Sequence, residues 1–182
     1  MKISTKNFIL TAVACLLLTA IGTIYGIKTS AQTSRQSANG SGGVLIPTAT
    51  GEQVRRQFAF SVRTDANGNV KGHAVVHNAL FRTEEGKKFQ GNFDITCLNV
   101  VGNTATFGGT VKRTNDPGLE GATVFFVVQD NGEPGKGTDK ISFALFSGVN
   151  DPSQCAQVTL ADVEANGGFL TIDSGNIQVR NQ

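Results

Sequence analysis

The sequence predicts an all-β domain of antiparallel strands that are joined mostly by hairpins. Apolar and polar residues alternate through short runs such as 58–62, 89–97 and 141–145, a period of two that is typical of half-buried strands. Asn-Gly pairs and two Asn-Asp-Pro triplets separate these runs and indicate turns. About eight to ten strands are expected. They form either a single β-barrel or a β-sandwich, and the sequence leaves both open.

The first 31 residues have the pattern of a secretory signal peptide. Two lysines precede an uncharged apolar run at 8–27, and small residues then lead to a cleavage site between Ala31 and Gln32. The run is also long enough to cross a bilayer if it is not cleaved, and Cys15 offers a third alternative, a lipoprotein anchor. The signal-peptide interpretation predicts a protein that is secreted or held in the cell envelope. Membrane contact is expected only if the segment is retained.

The remaining chain divides into a linker and one domain. Residues 32–53 are rich in Ser, Thr, Gln, Ala and Gly, which predicts a flexible linker. Residues 54–182 are sufficient for a single β-domain with its own core. Within it, the run 122–128 is apolar on both faces, which predicts a strand that is covered on both sides.

Charge and aromatic content narrow the classes of partner. The formal charge of the whole chain is +2 with 16 basic and 14 acidic residues, and the leader carries three of the lysines, so the remainder is −1 (13 against 14). No basic stripe is left in the sequence, so nucleic acid is not an expected partner. The chain has no Trp, and its one Tyr lies in the leader. Amphipathic aromatics dominate many binding surfaces, so their absence counts against stacking on sugar rings.

Two cysteines remain after the leader, and a disulfide between them is predicted. Cys97 and Cys155 form an even pair, and neither has a nearby Cys or His at the spacing of metal ligands. The alternatives are a reactive thiol and a metal ligand.

Two groups of residues are weak candidates for a site. His73 and His77 lie four residues apart on a predicted strand, which places them about 13 Å apart, too far to hold one metal ion alone. They are interpreted as polar residues on a solvent face, or as part of a ligand site in a barrel interior. The loop carboxylates Asp130, Glu133 and Asp139 are the right ligand type for calcium, but a long hairpin loop accounts for the same residues. No metal, cofactor or catalytic residue is therefore expected.

The triplet Asp173-Ser174-Gly175 is superficially similar to the signature of aspartic proteases. In those enzymes a second carboxylate pairs with the first. Only seven residues follow the triplet here, so it is interpreted as the end of a strand and a turn.

Four blocks of sequence resemble one family. They are GH at 72–73, TCLNVVGNTATFGG at 96–109, VQDNGEPG at 128–135 and SGNIQV at 174–179. In order and spacing they are similar to a family of secreted bacterial β-domains, some of which are labelled post-COAP. The resemblance implies a bacterial, extracytoplasmic β-domain and carries no established activity.

Two functions from different classes are consistent with these patterns. The first is a non-catalytic module that binds an unknown protein or surface partner, or has a structural role, outside the cell. The second is a β-barrel that binds a small apolar ligand or has an enzymatic site near the two histidines. A filled interior favours the module, and a phenylalanine-lined void favours the ligand site.

Overall fold

The structure, a computed structural model, describes residues 35–82, 86–145 and 151–182. These residues belong to one compact unit, Thr33–Gln182. The predicted signal peptide and its cleavage site lie outside the described residues. The strands are β1 (Gln36–Pro47), β2 (Gln53–Thr64), β3 (Val70–Arg82), β4 (Lys88–Val101), β5 (Thr104–Thr114), β6 (Thr123–Gln129), β7 (Lys140–Leu145), β8 (Leu170–Thr171) and β9 (Ser174–Asn181). One short helix, α1 (Leu160–Ala165), and two 3-10 turns, Pro117–Leu119 and Pro152–Gln157, complete the described elements.

All nine strands belong to one antiparallel sheet. The order is β8-β7-β6-β5-β4-β3-β2-β1-β9, so each strand from β1 to β8 pairs with its neighbour in sequence, and β9 returns to pair with β1. The sheet curls into half of a barrel. The predicted all-β class with hairpin connections is confirmed, and the barrel-like alternative is the one that the sheet approaches.

Phenylalanine rings occupy the concave face of the sheet. Phe60 packs on Phe107 with ring centroids 4.9 Å apart, and Phe107 stacks on Phe126 at 5.0 Å. Phe126 also contacts Phe93 and Phe143 at 5.5 and 5.8 Å. These residues come from five strands, so a chain of rings joins opposite parts of the curl. Buried aromatics of this size supply much of the apolar area that stabilises a fold.

A second, smaller apolar layer lies on the convex side. Residues 151–167, called the cover below, place Val163 against the outward side chains of β6, Phe125 and Val127, and all three are buried. Cys97 in β4 is joined to the buried Cys155 of the cover by a disulfide. The prediction that 122–128 is covered on both sides is thereby confirmed, as is the predicted disulfide.

The start of α1 in the cover is fixed by a capping box. The Thr159 hydroxyl accepts from the Asp162 backbone N–H, and the Asp162 carboxylate accepts from the Thr159 backbone N–H in return. Such a cap satisfies two of the backbone donors that a helix start leaves free, which lets so short a helix hold its position over β6.

The linker predicted over 32–53 is corrected by the structure. Residues 36–47 form β1, an integral strand between β2 and β9. Its glycines serve close packing: a Cβ on Gly40 would lie 2.7 Å from Cζ of Phe60, and one on Gly42 would collide with the carbonyl of Ser174. Glycine within a strand marks such close approaches. The composition that resembled a flexible spacer is therefore what the tight curl of the sheet requires, and the domain begins near Arg35.

On the edge of β9 that faces away from β1, where no described strand pairs with it, side chains of the loop before β7 take the place of a partner strand. Asp139 is fully buried, and its Oδ2 accepts from the backbone N–H of Ile177 at 2.8 Å. Asp130 accepts in the same way from Val179 at 3.1 Å. These carboxylates, called the carboxylate latch below, satisfy edge N–H groups that a tenth strand would satisfy in a closed barrel.

Candidate functional site

Both histidines lie on the convex, outer face of β3. His73 and His77 are exposed, whereas the alternate residues Ala74 and Val76 are buried in the core. A site for them in the barrel interior is therefore wrong, because the strand period directs them outward. Both histidines lie on a solvent-exposed face of the sheet, as the other interpretation predicts.

The three carboxylates proposed as weak calcium candidates all accept hydrogen bonds from protein groups. Asp130 and Asp139 form the latch, and Asp139 also accepts from the Asn131 backbone N–H at 2.9 Å. Glu133 accepts from the side-chain amides of Asn176 at 2.8 Å and of Gln178 at 3.2 Å. These amides hold the pKa of the Glu133 carboxyl below its ordinary value. Within the described ranges no group of three or more His, Cys, Asp or Glu side chains is arranged to hold a metal ion.

β8 ends at Thr171 and Asp173 forms a bend, as expected, but Ser174 and Gly175 already belong to β9. The Asp173 carboxylate makes an ion pair with Arg55, and the same guanidinium donates to the Ser174 hydroxyl at 3.0 Å. The partner of this aspartate is a cation, so the paired-carboxylate chemistry of a protease has no counterpart here.

A groove of about 650 Å³ lies where β2, β3 and β4 meet the end of the sheet farthest from the termini. Its volume lies within the range of small-molecule sites. Side chains that carry charge or amide groups make up most of its wall. The lining residues are Glu52, Gln53, Val54, Arg55, Gln57, His77, Asn78, Lys88, Phe89 and Gln90. We call this the rim groove; sequence reasoning found only His77 of it, because its members are dispersed over three strands.

Two sets of contacts fix the walls of the rim groove. Arg55 is oriented by its bonds to Asp173, just before β9, and to Ser174, the first residue of β9. On the other wall, Asn115 accepts from the Gln90 backbone N–H at 2.9 Å and donates to the Lys88 carbonyl at 2.7 Å. In the sheet register Gln57 and Gln90 lie directly opposite His77, one on each side. The groove thus presents donors and acceptors on paired strands, which lowers the ordering cost of the backbone on binding.

Arg56 lies beside the groove residues in sequence but faces the interior. Its guanidinium carbon lies 4.3 Å from the centroid of the Phe143 ring across the curl, a cation–π contact. Burial lowers the pKa of Arg56 to about 10, so the side chain remains charged at neutral pH. It closes this end of the interior next to the phenylalanine core.

A second hollow lies at the border between the cover and the sheet. It measures about 330 Å³ and is lined partly by Val101 and Leu160, which expose 69 and 61% of their surface. It is an apolar feature of the outer surface and is separate from the phenylalanine core.

Comparisons with known proteins identify no relative: no family model, no curated protein and no solved structure matches this chain. The resemblance to secreted bacterial β-domains therefore stays a prediction. In the portion of the chain that the structure describes, no helix has the length and apolar character needed to span a bilayer.

Proposed function

We propose that this chain is a non-catalytic, extracytoplasmic binding module that holds its partner in the rim groove. The observation that carries the proposal is the groove itself, a concave polar surface built on three rigid strands. The disulfide Cys97–Cys155 fits an oxidising compartment. Phenylalanine rings occupy the concave face of the sheet, which favours the module over a barrel that holds an apolar ligand inside.

The side chains of the groove are those of a binding surface. Catalysis of acid–base or nucleophilic type needs a nucleophile or a second titratable group within hydrogen-bond reach of the first. The lining residues supply one carboxylate, Glu52, one imidazole, His77, and a row of amides, and among the described contacts no hydrogen bond joins Glu52 to His77. Amides donate and accept hydrogen bonds without changing protonation state, so they recognise polar groups and do not move protons.

The chemistry of the groove favours a ligand that carries hydroxyl groups and a carboxylate. Lys88 presents an exposed cation, Arg55 presents a guanidinium that also pairs with Asp173, and Glu52 is the carboxylate of the lining. Gln57 and Gln90 add amides. Charge-assisted bonds to carboxylates are about twice as strong as neutral ones. A segment of an acidic polysaccharide that is held by hydrogen bonds and charge, without ring stacking, fits this arrangement.

The test is binding of the purified protein to a panel of acidic and neutral oligosaccharides. The variants K88Q and Q57L change exposed groove side chains, so the fold is expected to be retained. Each is expected to weaken binding of an acidic oligosaccharide about tenfold, as the loss of one charge-assisted or well-formed hydrogen bond predicts. K112Q removes an equal charge outside the groove, where Lys112 pairs with Asp94 at 2.8 Å, and is the matched control.

Two results would overturn the proposal. One is equal binding by wild type, K88Q and Q57L, which would place the ligand elsewhere. The other is chemical conversion of a bound oligosaccharide, which would make the groove a catalytic site.

A further inference from the structure

Four cations gather on the outer face at the end of the sheet that carries both termini. Arg180 of β9 lies beside Ser37 of β1 and Arg63 of β2 beside Lys71 of β3, in one row across the strands. Arg35 precedes β1 at the same end, where its backbone pairs with Gln182. The side chains of Arg35, Arg63, Lys71 and Arg180 are exposed. We call these four residues the terminal patch.

The sheet creates this patch from residues that are far apart in sequence. Directly opposed strand positions lie about 5 Å apart, so Arg63 and Lys71 are immediate like-charged neighbours, an arrangement that disfavours the isolated sheet. In the described part of the chain no carboxylate forms an ion pair with any of the four. Asp65, a carboxylate of the same hairpin, accepts bonds from Asn69 and Asn67 within its own turn, and it attracts Lys71 through space without an ion-pair contact.

Basic and acidic residues are divided unequally between the first and second parts of the domain sequence. Residues 35–114 contain 10 basic and 5 acidic residues, a balance of +5, whereas residues 115–182 contain 3 basic and 9 acidic residues, a balance of −6. The cover contributes Asp151, Asp162 and Glu164, and the sequence from 141 to 179 has no Lys or Arg. An anionic surface would therefore attract the terminal patch and repel the cover.

We propose that the terminal patch docks the domain on a bilayer surface that contains anionic lipids. The apolar run that precedes the domain favours a bilayer over a soluble polyanion as the partner. The apolar run 8–27 and Lys28 precede the domain in sequence, and Arg35 enters the fold within the patch. Eight residue steps separate Ile27 from Arg35, and they span at most about 28 Å. A chain that is anchored by this run would hold the patch within that distance of the membrane.

The magnitude of the effect follows from the number of charges. Each Lys or Arg near an anionic surface strengthens binding about fivefold. Removal of two of the four, in R63Q/K71Q, is therefore expected to lower the partition coefficient about 25-fold. The attraction is screened by salt because the Debye length is about 10 Å at 0.1 M and about 3 Å at 1 M.

The experiment is co-sedimentation of the protein beginning at Gln32, which retains the whole compact unit, with vesicles of about one third phosphatidylglycerol in phosphatidylcholine at ~0.1 M salt. We expect binding to these vesicles, a loss of about 25-fold in R63Q/K71Q, and no binding to pure phosphatidylcholine. Circular dichroism verifies that each variant is folded. K112Q/R113Q removes the same charge in β5, outside both the terminal patch and the rim groove, and is expected to bind as the wild type does.

Three results would overturn the proposal. The first is an equal loss in K112Q/R113Q, which would make net charge the cause. The second is equal binding to phosphatidylcholine, and the third is binding to soluble dextran sulfate without binding to vesicles. None of these results depends on the rim groove, so the proposed function is tested separately.

Discussion

Replacement of the buried aspartate of the carboxylate latch tests how the half-barrel is held closed. In D139A the Ile177 N–H loses its acceptor while fully buried, which costs about 1–3 kcal/mol, and the half-buried Asn131 N–H loses one as well, at about 1 kcal/mol. The sum of about 2–4 kcal/mol is a large part of the 5–15 kcal/mol that stabilises a typical domain. For a domain of this length each kcal/mol lowers Tm by about 2–4 °C, so D139A is expected to melt about 4–16 °C lower.

The assay is thermal unfolding followed by circular dichroism, with amide hydrogen exchange at Ile177 as a local measurement. D139N keeps one acceptor oxygen and the side-chain shape, so we expect about half the loss of D139A. E120Q alters an exposed carboxylate at the other end of the molecule and is expected to melt as the wild type does. If D139A melts within about 2 °C of the wild type and the Ile177 amide exchanges no faster, the latch does not hold β9.

Three further predictions concern the cover, β1 and the loop before β7. Replacement of both Cys97 and Cys155 by serine removes a cross-link over 58 residues, which contributes about 4 kcal/mol to stability in the chain-entropy model, so Tm is expected to fall. An unchanged Tm would contradict a structural role of the disulfide. G40A places a Cβ against the ring of Phe60 and is expected to lower the free energy of unfolding by about 1–3 kcal/mol. S41A, on the exposed face of β1, is expected to leave Tm unchanged. Equal melting temperatures of the two variants would refute the packing role of Gly40. Two amides lower the pKa of Glu133, so its contribution to stability is complete above its ordinary value of 4.5 and is lost as pH falls through the lowered pKa. E133Q is expected to flatten the fall of Tm below about pH 4.5, and an unaltered slope would show that this carboxylate is not linked to folding.

The strands that could be predicted from sequence are those whose side chains alternate in size and polarity. In β2 the buried Phe58, Phe60 and Val62 follow the period of two, and the doubly apolar β6 is buried on both faces. The same rule fails at Cys97, which the period places on the core face with Ile95. A bulge between these two residues in the pairing with β5 turns Cys97 toward the cover, as bulges commonly re-aim a side chain.

The failure at β1 has a different cause. Composition scales treat Gly, Ser and Asn as linker residues because they bury little apolar area. In β1 the apolar area is supplied from outside, since the ring of Phe60 covers Gly40. The information therefore belongs to the pair of strands and not to either sequence alone. The rim groove and the terminal patch escaped sequence reasoning for the same reason, because each is assembled across several strands.

The two proposed surfaces impose a consistent orientation on the molecule. Arg63 of the terminal patch and Arg55 of the rim groove lie on the same strand, eight residues apart, which corresponds to about 26 Å along β2. If the patch rests on a bilayer, the strands hold the groove that far from the headgroups, beyond several Debye lengths at physiological salt. The groove cations then act on a soluble ligand without competition from the membrane. An anionic ligand would also be repelled by the acidic cover and admitted at the basic groove, so the division of charge along the chain directs both interactions.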